Sequence, residues 1–259
     1  MDYSKIGQAA ANTDNLTEEK SFVREVPREG IALLRLRDYI ETGRHEAKNP
    51  QYKPSLKVLL VFELSHPDHC IEIDGKKVPQ AFTVRVNKSY SDKGKYMPLF
   101  KVMNRACGGK FTHFAEMIGQ PFLGRIYHNE YQGKTYANID SEGAWSLAEA
   151  VQEDALSGTK TKVPVPELHG KPKVFLWEPQ GFADEMLTEM WDSIFIEGTR
   201  TNEKGEEISK NWIQETVMNN IEWEGSMTQA LTQEFVSIDE PTDEGLSALA
   251  GSTDVPNLD

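Results

Sequence analysis

An apolar run of nine residues is the feature that most constrains how this chain folds. The run LKVLLVFEL, residues 56–64, is almost wholly apolar and is rich in branched side chains. A loop with two prolines precedes it, and the turn-like segment SHPDHC follows it. A short apolar run bounded by turn signals is typical of a strand that is covered on both faces. We therefore expect a β protein with this strand at the centre of its sheet.

Two neighbouring segments alternate between apolar and polar residues, as half-buried strands do. The segment VPREGIALLRLRDYI, residues 26–40, has an apolar face of Ala32, Leu34, Leu36 and Ile40. Its opposite face is basic and aromatic and carries Arg35, Arg37 and Tyr39. The segment AFTVRVN, residues 81–87, alternates in the same way and places Arg85 on its polar side.

The rest of the chain supplies further short elements. IEIDGKKV, with Asp74 and Gly75 as its turn, predicts a hairpin, and 121–139 predicts two strands around Gln132-Gly133. We expect mostly loop over 140–172, a last strand at KVFLWE, and helices over 95–106, in THFAEMIG, over 182–195 and over 209–221.

About five to seven strands, with a helix before the last pair, favour a mainly β (α+β) chain with helical appendages. The leading fold is a small Greek-key barrel of the OB type, and the competing fold is a generic β-sandwich. The predicted organisation is a flexible arm over 1–25, an OB-fold-like domain over 26–180, and a helical extension over 181–238. The extension would pack on the barrel or on a neighbouring subunit. An acidic, disordered tail over 239–259 would follow.

Charge is distributed unevenly along the chain. The net charge is −13, yet residues 44–110 hold 13 Lys or Arg against 6 Asp or Glu. Residues 181–259 hold 3 against 18. Such asymmetry favours a nucleic-acid or membrane partner, or an interaction tail. No apolar run is long enough to span a bilayer, and the first residues lack the pattern of a secretory signal. Two cysteines form no disulfide framework, so we expect a cytoplasmic location.

Basic and aromatic residues recur together on four predicted elements. Proteins that follow single-stranded nucleic acid need cations for the phosphates and flat side chains for the bases. The candidate positions are Arg35, Arg37, Tyr39, Arg85, Lys88, Tyr90, Lys93, Lys95, Tyr96, Lys101, Arg105, Arg125, Tyr127, Tyr131, Lys134 and Tyr136.

Motifs for catalysis are missing from the sequence. It contains no GxxxxGK[ST] loop, no GxGxxG after a strand and no GxSxG elbow. The residues nearest to a metal site are His66, His69 and Cys70, which Cys107 and His113 could complete, but their spacing matches no standard zinc site. A nuclease is the enzymatic alternative, with carboxylates at Glu63, Asp68, Glu72 and Asp74. We expect a protein without catalytic activity.

The order of these features resembles a family of phage single-stranded DNA-binding proteins built on an OB-fold. The resemblance is carried by VPREGIALLRLRDYIETGRHE, LKVLLVFEL, VPQAFTVRVNKSYSDKGKYMPLFKVMN, MIGQPFLGRIYHNEYQGKTYANI and NWIQETVMNNIEWEGS. It covers about 26–180 well and 181–226 loosely. It implies coating of single-stranded DNA in phage replication or recombination, without base specificity, without a cofactor and in the cytoplasm of an infected cell. The predicted helices over 182–195 and 209–221 would pack on the barrel or join neighbouring subunits on DNA.

Members of such families often end in an acidic tail that recruits replication proteins and competes with DNA for the basic groove. The corresponding acidic residues are Asp239, Glu240, Asp243, Glu244, Asp254 and Asp259. The last residues here, Asn257-Leu258-Asp259, depart from the usual acidic run with a terminal aromatic residue. Two further alternatives stay open. One is a phage virion or scaffold protein whose basic face contacts another subunit, and the other is a duplex DNA binder, for which no recognition helix is evident.

Overall fold

A computed structural model of the protein describes residues 26–237, except positions 48, 74, 132, 142, 203 and 204. The described chain is mainly β with a few helices, which confirms the predicted class. The predicted N-terminal arm and acidic tail lie outside the described residues, as do Asp74 and Gln132 of the two predicted turns.

The described residues form fifteen strands, four α-helices and two 3-10 turns. The strands are β1 (Gly30–His45), β2 (Ser55–Leu64), β3 (Cys70–Ile73), β4 (Lys76–Pro79), β5 (Ala81–Asn87), β6 (Pro121–Tyr131), β7 (Lys134–Asn138), β8 (Asp140–Ser141), β9 (Ala144–Trp145), β10 (Leu147–Glu149), β11 (Val151–Glu153), β12 (Lys160–Lys162), β13 (Val174–Phe175), β14 (Thr199–Thr201) and β15 (Glu207–Ser209). The helices are α1 (Tyr96–Ala106), α2 (Asp184–Ser193), α3 (Trp212–Met218) and α4 (Met227–Ser237), and the 3-10 turns are Pro67–His69 and Phe114–Met117.

The main sheet is built around β1 and β2. Its strand order is β10-β6-β1-β2-β5, with β7 paired to β6 and β13 running parallel to β1. Among the described residues, no hydrogen-bonded ladder joins β5 to β6, β7 or β10, so the sheet is not a closed barrel. Strand β5 is therefore an edge strand of the main sheet.

Most predicted elements are present, although the segment THFAEMIG forms only the 3-10 turn Phe114–Met117. The central run, the segment 81–87 and helix 95–106 are confirmed within one residue. Most of 140–172 is loop, as predicted, but the prediction missed five short strands there, of which β10 joins the main sheet. KVFLWE forms only the two-residue β13 and is not the last strand, since β14 and β15 make a further hairpin.

A β-bulge in β1 reverses the predicted alternation. The register between β1 and β2 shifts between Leu36 and Asp38. A bulge adds one residue to one strand, so every side chain beyond it changes face. Leu36 and Tyr39 therefore both lie in the inner core, whereas Ile40 lies in a second core on the other side. The predicted faces of 26–40 are correct before the bulge and wrong after it.

Two hydrophobic cores lie on opposite faces of the sheet. The inner core joins β1, β2, β5 and β6 to α1 and contains Leu60, Phe62 and Met103. The second core places Ile40 and Leu59 against Ile213 and Val217 of α3, and Trp191 and Trp223 pack around it. The helical extension is thereby packed on the outer face of the same sheet.

Gly43 allows this extension to approach β1 closely. Its φ angle is +83°, a conformation that favours glycine, and a Cβ there would lie 2.5 Å from Cγ of Asn220. Asn220 is itself held in place, because its Nδ2 donates to the carbonyl oxygen of Val217 at 2.6 Å and its Oδ1 accepts from the amide of Glu222 at 2.7 Å. Glycine at position 43 is therefore required for docking the extension.

We expect Gly43→Ala to lower the free energy of unfolding by about 1–3 kcal/mol, because the strained backbone conformation adds to the clash with Asn220. Gly94→Ala is the matched control, since its Cβ would meet no atom closer than 3.5 Å and its φ is not left-handed. Urea denaturation of both variants checks this prediction. Equal stability of the two variants would show that the extension is not docked through Gly43.

Candidate nucleic-acid interface

Three of the sixteen predicted contact residues are core residues. Tyr39 is fully buried and Tyr96 is nearly so, and the prediction that their rings receive bases is wrong. Arg35 is also buried, because its guanidinium donates to the carbonyl oxygens of Gly119, at 3.1 Å, and of Pro166. Tyr39 is buried because the bulge turns it towards the inner core. Arg35 is buried because a loop covers the outer face of β1.

Tyr39 and Tyr96 belong to a buried hydrogen-bond network around Glu41. The Tyr39 hydroxyl donates to Oε1 of Glu41 at 2.7 Å, and the Tyr96 hydroxyl donates to the Tyr39 oxygen at 2.9 Å. Burial raises the pKa of Tyr39 above its usual value and raises the pKa of Tyr96 to about 12, so both phenols stay protonated. Lys88 completes the network with an ion pair to Glu41 Oε1 at 2.6 Å.

Arg37 is also committed within the protein. Its guanidinium makes a bidentate contact with the Asp38 carboxylate, with the closest pair of atoms 2.7 Å apart. Asp38 is buried and also accepts a hydrogen bond from the backbone amide of Lys173. The basic face predicted for β1 therefore holds the fold together and does not form an open binding surface.

The hairpin of β6 and β7 does present a mixed aromatic and basic face. Tyr127 lies opposite Asn138, Asn129 opposite Tyr136, and Tyr131 opposite Lys134. Residues directly opposite in an antiparallel pair project to the same face. Tyr127, Tyr131, Tyr136 and Lys134 therefore share one face of the hairpin.

One depression of the described surface lies where the β1–β2 loop meets the segment after β5. Its volume is about 890 Å³. Tyr52 and Tyr90 are 68% and 79% exposed. The charged and aromatic lining residues are Arg44, Tyr52, Lys53, Lys57, Lys88 and Tyr90. This depression combines both side-chain types that a nucleic-acid strand requires.

Three further depressions adjoin the first in series, and each shares lining residues with the one before it. The second, of about 460 Å³, shares Lys57 and Asn87 with the first and is also lined by Arg85 and Trp212. The third, of about 190 Å³, shares Arg85 with the second. It is also lined by Lys95, Asn129, Tyr136 and Trp145.

The fourth depression, of about 430 Å³, shares Lys95, Asn129 and Asn138 with the third and reaches Tyr127. We call these four connected depressions the groove. Successive depressions share lining residues, so the groove extends from the β1–β2 loop to the β6–β7 hairpin.

The groove has a charge opposite to that of the whole chain. None of the described residues lining the first three depressions is aspartate or glutamate. Lys57 Nζ contacts only neutral acceptors, Ser55 Oγ at 3.0 Å and Asn87 Oδ1 at 2.7 Å. Within the described part of the chain, Lys53 and Arg85 have no ion-pair partner. Their positive charge is therefore available to a phosphate.

Some of the cations that line the groove form ion pairs with carboxylates. Arg44 pairs with Glu222 at 2.7 Å, and Lys95 pairs with the nearly buried Asp140. Lys95 also lies over the ring of Trp145, with Nζ 5.7 Å from its centroid. These contacts orient the two side chains and reduce their net charge, so they are weaker phosphate sites than Lys53, Lys57 and Arg85.

The remaining predicted residues lie on the surface beside the groove. Lys101 pairs with Asp92 at 2.6 Å on the exposed side of α1. Six of the predicted contact residues are exposed but do not line the groove: Lys93, Lys101, Arg105, Arg125, Tyr131 and Lys134.

Sequence reasoning missed several residues that line the first three depressions. They are Arg44, Tyr52, Lys53, Lys57, Trp145 and Trp212. The signal for the first four was the concentration of cations around Tyr52 between positions 44 and 57, in a predicted loop and at the start of the predicted central strand.

The alternative sites from the sequence do not come together. The described residues contain no group of three or more His, Cys, Asp or Glu able to hold a metal ion. Glu63 is buried and accepts from the amide of His169 at 2.9 Å, whereas Asp68 and Glu72 are exposed. His113 does not point to a metal, because its Nδ1 accepts from the amide of Ala115 at 3.1 Å. Cys70 and Cys107 are free thiols.

Comparisons with protein-family models, with curated proteins and with solved structures find no match for this chain. No helix among the described residues has both the length and the apolar character needed to cross a bilayer. The groove is therefore the feature of the protein from which its function is best inferred.

Tyr39→Phe tests the structural role of the buried network. We expect it to lower the free energy of unfolding by about 1 kcal/mol, because Glu41 loses a buried hydrogen-bond donor. Tyr90→Phe is the control, since Tyr90 is exposed and its change should leave stability within about 0.5 kcal/mol of the wild type. Chemical denaturation measures both. A Tyr39 variant as stable as the wild type would contradict its assignment to the network.

Proposed function

We propose that the protein binds single-stranded DNA along the groove, without base specificity and without catalysis. One observation supports this proposal most strongly. The chain has a net charge of −13, yet three adjoining depressions have no acidic lining residue among those described. The same depressions are lined by Tyr52, Tyr90, Trp212, Tyr136 and Trp145.

The two side-chain types have separate roles in this proposal. Lys53, Lys57 and Arg85 would contact phosphates, which makes binding depend strongly on salt concentration. Exposed rings would stack on bases, with a contribution of about 1–3 kcal/mol per base that every base sequence can supply. Because the groove is open along its length, a strand could enter from the side and would not need to be threaded.

We further propose that the sheet is an OB-fold-like barrel. OB-folds are partly open five-stranded barrels that bind oligonucleotides on the face of strands two and three and on the loop between strands one and two. The groove runs along the third long strand, β5, and begins at the β1–β2 loop. Helix α1 lies between the third and fourth long strands, where the sequence predicts it.

The resemblance to phage proteins supplies the biological setting of the proposal. The protein would coat single strands during phage replication or recombination in the cytoplasm of an infected cell. The acidic residues beyond 238 would recruit phage or host replication proteins. Exposed apolar residues of the helical extension, among them Phe195 and Ile221, are suited to self-association on DNA.

The first experiment is fluorescence anisotropy with a labelled oligo-dT of about 30 nucleotides at two salt concentrations. We expect tight binding that weakens steeply with salt, and much weaker binding to a duplex of the same length. Failure to bind the single strand at low salt would refute the proposal. The virion or scaffold alternative, in which the basic face contacts another subunit, would then take its place.

Tyrosine variants locate the site within the protein. Tyr52→Ala and Tyr90→Ala should each weaken oligo-dT binding by about 1–3 kcal/mol, because each removes an exposed ring from the first depression. Tyr131→Ala is a matched control, since Tyr131 is 60% exposed but does not line the groove. Equal loss of affinity at Tyr131 and Tyr52 would place the strand along the hairpin instead of the groove.

Removal of residues 239–259 tests the proposed role of the tail. We expect the truncated chain to bind oligo-dT more tightly, most clearly at low salt, because the acidic residues no longer compete for the groove. Anisotropy titrations of the full and truncated chains at the same two salt concentrations measure the effect. Unchanged affinity at low salt would exclude this competition.

A further inference from the structure

The helical extension forms one wall of the second depression. Trp212 and Thr216 of α3 line it together with Lys57, Arg85 and Asn87 from the main sheet. The groove is therefore not a property of the sheet alone. Its middle part exists only where the extension meets strands β2 and β5.

The extension is fixed to the sheet next to this wall. The amide of Ile221 donates to the carbonyl oxygen of Arg44 at 2.9 Å, and Asn220 packs against Gly43. Glu222 links the two parts again, since Oε1 accepts from Arg44 Nε at 2.7 Å and Oε2 accepts from the indole of Trp177 at 3.2 Å. The turn that follows α3 therefore has a defined position relative to β1.

The start of α3 is fixed as well. Asn211 directly precedes Trp212, and its side chain accepts from the amide of Ile196 at 3.1 Å and donates to Oε1 of Gln214 at 2.6 Å. Gln214 is buried and donates to the carbonyl oxygen of Trp191 at 2.9 Å. Trp212 is thus carried on a short helix that is anchored at both ends.

The five tryptophans fall into two groups. Trp223 contacts both Trp177 and Trp191 ring to ring, with centroids 6.4 Å and 5.8 Å apart. Trp145 and Trp212 make no such contact with another aromatic ring among the described residues, and both line the groove. Trp212 is half-buried, and one part of it packs against the second core.

We infer that Trp212 is a stacking platform for a base at the centre of the groove, and that the helical extension is part of the DNA-binding site. This inference rests on the proposed function. Packing against the core restricts the ring before DNA arrives, so little conformational entropy is lost on stacking. Lys57 and Arg85 line the same depression and would contact the phosphates on either side of the stacked base.

The position of Trp212 completes a series of rings along the groove. Tyr52 and Tyr90 line the first depression, Trp212 the second, and Tyr136 and Trp145 the third. Without Trp212, the middle of the track would offer cations but no aromatic surface. With it, successive bases would meet a ring in each of the three depressions.

Three variants of the full chain test this inference by oligo-dT anisotropy. Trp212→Leu keeps an apolar side chain against the core but removes the flat ring, and we expect affinity to fall about 5–150-fold. Trp212→Phe keeps a ring that can stack on a base. Its affinity should therefore stay within about threefold of the wild type, a smaller change than that expected for Trp212→Leu. Tyr52→Ala reports on the first depression independently of the extension.

Wild-type affinity of Trp212→Leu, alongside weakened binding by Tyr52→Ala, would overturn the role of Trp212 and leave the proposed function intact. No binding of oligo-dT by the wild type would instead overturn the proposed function, and this inference with it. Thermal melting of each variant shows whether a loss of affinity reflects a loss of folding.

Tryptophan fluorescence gives a second measurement that does not need the leucine variant to fold. Stacking on a base quenches indole emission, so oligo-dT should quench the wild type more than Trp212→Phe at saturation. Trp191→Phe is the matched control, because Trp191 lies in the ring cluster and its loss should leave the quenched amplitude unchanged. Equal quenching of the wild type and Trp212→Phe would contradict the inference.

Discussion

The buried carboxylate of Glu41 is the interaction on which the rest of the structure depends. It is 1% exposed, and a carboxylate in that position is stable only when charged and hydrogen-bonded partners surround it. Tyr39 and Lys88 contact one oxygen, and the backbone amide of Trp177 donates to the other at 3.2 Å. These partners join strand β1 to the segment after β5 on one side and to the segment directly after β13 on the other. Lys88 lines the groove, so Glu41 also positions one of the residues that form it.

The distribution of cations follows from this arrangement. An acidic chain has many carboxylates near its surface, and several basic residues are neutralised by them: Arg37 by Asp38, Lys88 by Glu41 and Arg44 by Glu222. Those pairs position strands and loops. Lys53, Lys57 and Arg85, in contrast, lie along a surface without acidic neighbours in its lining. Basic residues with a carboxylate partner are therefore structural, and those without one are candidate binding residues. A count of charges along the chain cannot make this distinction.

Sequence reasoning succeeded where local patterns decide the structure. The apolar run of β2, the alternation of β5 and the face of the β6–β7 hairpin follow from periodicity within a single segment. It failed for Tyr39, because one inserted residue at the bulge moves every later side chain to the other face. It also failed for Tyr52 and Trp212, since a loop residue and a helix residue become groove residues only when distant segments meet. The short strands over 140–172 depend on pairing with neighbours and leave little periodic signal.

The sequence by itself determined the class of fold, the central strand, the helix before the later strands and the presence of basic residues with aromatic rings among them. These features depend on residues close together in the chain, whose hydrophobic pattern fixes local structure. Tertiary structure alone decided which rings are buried, which cations are neutralised and where the groove runs. Those outcomes depend on contacts between residues more than a hundred positions apart in sequence, such as Gly43 with Asn220 and Glu41 with Trp177. They also depend on Lys57 and Trp212 meeting at the same depression. Burial and ion pairing are set by such long-range contacts, and no local pattern encodes them.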